Sequence, residues 1–121
     1  MDPLRIMKGM FYFTRKFSGL YEFEPYHLGP ICFNIYDDLR MLVEEGMIAT
    51  EDVPWQTWKT YYPTSKGVLR AAELQQTADA NMVDEIKARK NDVCSLNFLD
   101  LLKKVYSDYP QFASKSVFNF D

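Results

Sequence analysis

Few residues in this chain can do chemistry. His27 is the only histidine, so neither a cluster of imidazole metal ligands nor a catalytic pair of imidazoles can be built. It stands in Tyr26-His27-Leu28-Gly29, a setting that suits a turn or packing role better than a general base. Cys32 lies near His27 and near the start of a predicted helix, where a thiol pKa can fall and the thiolate can act as a nucleophile. Its place beside the apolar stripe of that helix reads instead as a small buried hydrophobe. Asp37 and Asp38 are adjacent and therefore point about 100° apart around a helix, which does not suit two carboxylates sharing one substrate. No phosphate-cradling Gly-rich loop, dinucleotide fingerprint, Cys-x-x-Cys pair or nucleophile elbow occurs. The expectation is a protein that is not an enzyme, with no cofactor and no metal.

Binding is better represented than catalysis. Nine Phe, eight Tyr and two Trp make 16% of the chain aromatic, more than a core of this size needs, so some rings should be exposed as contact surface. Trp55 and Trp58 fall in a predicted ribbon, where a three-residue offset puts them on opposite faces, one packed and one facing solvent. The preceding helix displays Asp37, Asp38, Glu44 and Glu45, and Glu51 and Asp52 carry the acidic surface into the ribbon. An exposed indole rimmed by acids suits a protein surface better than a phosphate backbone. Trp55, Trp58, Asp37, Asp38, Glu44 and Glu45 are therefore the candidate protein-contact residues. The alternative is a DNA-binding regulator that uses Lys59, Lys66, Lys87, Arg89, Lys90, Lys103 and Lys104 against phosphates. Several of these also sit where helix C-termini carry cations for dipole reasons alone.

The elements that must position these residues follow from periodicity and caps. Asp2-Pro3 starts a helix over about 3–17, apolar on two sides and central, with Arg5, Lys8, Arg15 and Lys16 on its wet remainder and Gly9 at a close crossing. Residues 20–26 alternate as a short edge strand limited by Pro25. Gly29-Pro30 opens a second helix that carries Ile31, Ile35, Leu39 and Leu42 inward and ends at Gly46. Met47-Ile48 and 57–62 form a β-hairpin. Thr64-Ser65 caps a long helix over about 65–90, whose thin stripe of Val68, Ala71, Ala72, Leu74, Ala78, Met82 and Ile86 suits close packing on another helix, in this chain or in a second copy. Asn91-Asp92 breaks the pattern, Ser95 caps a last helix over 96–109, and Pro110 stops it. The tail to Asp121 is apolar enough to dock on something.

One domain is expected from 121 residues, and 47% hydrophobic with 26% charged residues is the composition of a folded globule. A net charge of -3 gives no global attraction to phosphate or anionic lipid. No run approaches the roughly 20 apolar residues of a membrane span. Cys32 and Cys94 fit a reducing compartment, although their spacing leaves one bridge open. Cytoplasmic location and no membrane contact are the expectation.

Leu39-x-x-Leu42-x-x-x-Gly46-Met47-Ile48, then a ribbon, then Tyr62-x-Thr64-x-x-Gly67 resembles the end of a winged helix-turn-helix domain. Tyr21-x-Phe23-x-x-Tyr26-x-x-Gly29-Pro30 with Ile35-Tyr36-x-Asp38-Leu39 resembles small prokaryotic proteins of the YwgA and Panacea (SocA-like) type. Lys8-x-x-Phe11 and Val105-Tyr106-x-x-Tyr109-Pro110-x-Phe112-Ala113-x-x-Ser116 are similar to YwgA-like sequences. The resemblance implies an α+β fold, mainly helical with a small β ribbon. It would have a winged-helix core over about 1–75, a helical extension over about 76–110 and the tail over 111–121. Proteins of this kind occur in bacteria, archaea and phage, some as antitoxins or in defence. The aromatic ribbon departs from the basic wing of DNA readers. The function expected is therefore a regulatory or antitoxin-like module that binds a protein, with DNA binding as the alternative.

Overall fold

The structure, a computed structural model, describes residues 1–120. The Asp2 carboxylate accepts the Arg5 amide at 2.9 Å and starts α1 (Pro3–Lys16), with Pro3 in the first turn, where a missing N–H leaves no bond unmade. Met7, Phe11 and Phe13 are buried along it. Lys8 was expected to be wet and is not: its side chain is buried and its ammonium donates to the Pro30 carbonyl.

The chain then forms a ribbon of β1 (Glu24–Tyr26) and β2 (Gly29–Ile31), antiparallel, with Pro25 opposite Pro30. Gly29-Pro30 therefore does not open a helix. Gly29, at φ 94, turns the hairpin, and α2 (Phe33–Glu44) begins only after Cys32. Glu45 ends that helix and Gly46, at φ 75, turns the chain out of it, as expected.

The second ribbon pairs β3 (Ile48–Asp52) with β4 (Lys59–Pro63), with Ile48 opposite Pro63 and Asp52 opposite Lys59. The expected single helix over 65–90 is two helices, α3 (Ser65–Thr77) and α4 (Ala80–Ser95). Ala78 is extended and the Asp79 carboxylate takes the Asn81 and Met82 amides at 2.8 and 3.2 Å, so a new helix starts there. The stripe from Val68 to Ile86 is accordingly not one face. Asn91 and Asp92 lie inside α4, and Asn97 rather than Ser95 caps α5 (Phe98–Asp108), through the Asp100 amide at 2.9 Å. A 3-10 turn, Pro110–Ala113, follows.

α1 is the centre. Ile35 and Leu39 of α2 close on Met7, with Cys32, Ile48 and Tyr61 packed around them. Phe11 meets Val105 of α5 and Phe112 on another side, and α4 lies along α1. A Cβ on Gly9 would stand 3.7 Å from Val93 Cγ2, so Gly9 does face the α4 crossing. The tail docks on its own chain. Phe112 is buried against Phe11, Phe118 and Phe120 stack on each other near Phe98 and Tyr106, and the Val117 amide donates to the His27 carbonyl. Asp121 lies outside the described residues. The class is α+β, mainly helical with two small antiparallel sheets. Among the described residues no helix is long and apolar enough to cross a membrane.

Candidate functional site

The β3–β4 ribbon is tied down at its base and free at its tip. The Thr64 hydroxyl donates toward the Gly46 carbonyl at 2.6 Å and accepts the Gly67 amide at 3.1 Å, locking the end of α2 to the start of α3. The Met1 ammonium donates to the Tyr61 carbonyl, and the Tyr61 amide returns to the Met1 carbonyl at 2.8 Å. Ile48 and Tyr61 pack on the core.

At the far end Val53-Pro54-Trp55-Gln56 closes a turn through the Gln56 amide and the Val53 carbonyl at 3.3 Å. Proline followed by a residue at positive φ is the order of a type II turn, in which the third position ordinarily holds glycine. Trp55 holds it here, at φ 75, and is the one non-glycine residue at positive φ among the described residues. Trp55 is 103% exposed, and Trp58 is 48% exposed. The expected opposite-face arrangement is thus corrected. Neither indole lies in a strand, and neither packs in the core, because the loop carries both past the last ladder pair, Asp52 opposite Lys59. The Gln56 amide group donates to the Trp58 carbonyl and to the Thr60 hydroxyl, at 3.1 and 3.3 Å, so the loop is internally braced.

The acidic residues are dispersed. Asp38 accepts the Tyr21 hydroxyl, and burial followed by that carboxylate pushes the tyrosine up to about 12. Asp37 pairs with Arg40 one turn on. Glu44 and Glu45 are exposed and carry no side-chain ion pair among the described residues. They stand at the base of the ribbon, one strand length of roughly 16 Å from its tip. Glu51 and Asp52 are exposed nearest the tip, and charge of both signs meets across the ladder where Asp52 opposes Lys59.

The candidate basic residues lie on β4, α3, α4 and α5. The Lys66 ammonium caps the Glu45 carbonyl at 2.8 Å. Arg89 lies between Glu85 at 3.2 Å and Asp92 at 3.0 Å, and Lys104 is 2.9 Å from Asp108. That lysine holds the Asp108 carboxyl below its ordinary range. Lys103 rests over the Phe120 ring. Lys59 is exposed on β4, and Lys87 and Lys90 are exposed on α4. The Tyr12 hydroxyl donates to Asp108 at 2.8 Å, and burial and then that hydrogen bond push Tyr12 well above the ordinary tyrosine range.

Cys32 is buried beside Met7, and His27 is exposed in the β1–β2 turn with its ring 4.4 Å from that of Tyr26. Cys32 and Cys94 are both free thiols. Sequence reasoning missed two features. Lys8 is buried beside a cavity, and α3 buries no side chain at all, leaving Val68, Leu69 and Leu74 exposed. No protein-family model matches the chain, and no curated protein matches it.

Proposed function

We propose that this protein is a non-catalytic, winged-helix-like interaction module, regulatory or antitoxin-like, that captures a protein partner with the tip of its β3–β4 ribbon. The observation that carries this reading is Trp55. A fully exposed indole held at positive φ gains nothing from its own fold and is presented to whatever approaches. Trp58 extends the apolar surface, and Glu51 and Asp52 set a negative rim nearest the tip, with Glu44 and Glu45 at the base of the ribbon. The partner that fits has an apolar pocket for an indole, ringed by Lys or Arg. Helix α2, followed directly by this ribbon, supports the winged-helix likeness, and its acidic, ion-paired surface is unsuited to a phosphate backbone.

The test is affinity capture from the host at moderate salt, with half of the lysate nuclease-treated, using the wild-type chain beside a Trp55→Gly/Trp58→Ala double variant. A stoichiometric protein that survives nuclease and is lost with the variant is expected. A specific DNA fragment retained equally by both chains and released at higher salt would establish the DNA-binding alternative instead.

A further inference from the structure

Between α1, the β1–β2 turn and α2 lies a cavity of about 200 Å³, to which Met7, Lys8, His27, Gly29, Ile31 and Tyr36 contribute. Lys8 is only 3% exposed. Its ammonium has three N–H groups, and one of them donates to the Pro30 carbonyl at 3.1 Å. No carboxylate forms an ion pair with it among the described residues. The Lys8 side chain packs closely on Gly29, where a Cβ would stand 3.1 Å from Lys8 Cε and 3.4 Å from Nζ, and both residues line the same cavity.

A buried cation whose remaining donors have no anion is unfavourable unless a counter-charge is supplied. This one adjoins a cavity whose other walls are largely aliphatic and aromatic, so inorganic anions that need full hydration are poorly suited to it. We infer that the cavity binds a small monocarboxylate with an apolar body, its carboxylate on the Lys8 ammonium and its body against Met7 and Ile31. This site is independent of the Trp-tipped ribbon. Burial lowers Lys8 to about 8, so occupancy should draw its proton affinity back up. The other titratable groups facing the cavity are Tyr26 and His27 from the β1–β2 hairpin and Tyr36 from α2. Pro30 of β2 and Leu102 of α5, which also approach, bring no charge.

Benzoate is the probe, titrated against the full chain by calorimetry and by NMR of the lysine Cε signals, with benzyl alcohol as its uncharged counterpart. Saturable benzoate binding is expected, weakened about tenfold or more by Lys8→Met and matched by similarly weak binding of benzyl alcohol. Affinity should fall about tenfold between pH 7 and pH 9 as the free amine deprotonates, with the same profile in His27→Gln. Equal benzoate affinity in Lys8→Met would overturn the proposal, as would no saturation by about 10 mM. If Lys8→Met does not fold, the wild-type chain still decides. Benzoate must move the titration of Lys8 itself to higher pH, and an unmoved titration rejects the site.

Discussion

At the scale of single residues, two side chains sit where their own chemistry is disfavoured. Trp55 fills the glycine position of its turn, and relieving a non-glycine residue at positive φ is worth on the order of 1 kcal/mol. Trp55→Gly should therefore raise stability to urea by about 0.5–1 kcal/mol while abolishing partner capture; a loss of stability would mean that the indole supports the fold. Lys8 is the second. Its folded pKa of about 8 lies below the ordinary 10.5, so the unfolded chain binds the proton more tightly and unfolding takes up protons between those values. Stability should rise with pH across about 8 to 10.5, and the charged form is a burden below 8. Lys8→Met should stabilise by about 1–2 kcal/mol at neutral pH, net of the lost bond to Pro30, and flatten that rise. Denaturation midpoints across the pH range check both. The burial of Lys8 was missed, although it shares a helical face with Leu4 and Phe11. Charge argued the other way, and spacing prevailed.

At the scale of elements, the junction of α2, β3 and α3 depends on Gly67. It is helical, and alanine is ordinarily the better helix former by about 1 kcal/mol. A Cβ at this position would stand 1.9 Å from the Met47 carbonyl oxygen, which is backbone and cannot step aside. Gly67→Ala should thus destabilise by about 2 kcal/mol or more, against propensity, and a melting temperature at or above wild type would contradict that packing. The spacing of Thr64 and Gly67 was legible as a cap followed by a glycine, although its cause, the Met47 carbonyl, was not. The α3–α4 break was missed because Thr77-Ala78-Asp79 contains neither Gly nor Pro, so apolar periodicity runs straight through it. Only the capping capacity of Asp79 signals the stop. The β1–β2 hairpin was missed for the opposite reason. Pro30 reads as the first turn of a helix, yet Gly29 at positive φ turns the chain back on Pro25 first.

At the scale of the whole molecule, α1 with its central place, the existence of α2 and α5, and the β3–β4 ribbon were legible because each carries a cap or a period of its own. The tail was legible as apolar but not as self-docked, since the surface it covers is formed only when α5 meets α1. The candidate site was legible by residue type alone. Trp55 and Trp58 stood out, but strand alternation assigned one of them to the core, whereas the loop exposes both. The acids and bases proposed from sequence are spread over several elements, many of them paired, which leaves the ribbon tip as the most distinctive surface of the molecule. The central claim is that Trp55 enters an apolar pocket on a protein. Its most direct test is the emission of Trp55 in a Trp58→Phe chain, recorded with and without the captured partner, using a partner stripped of its own tryptophans. On binding, the emission should shift to the blue and become shielded from iodide. Emission that stays that of a solvated, freely quenched indole in the saturated complex would contradict it.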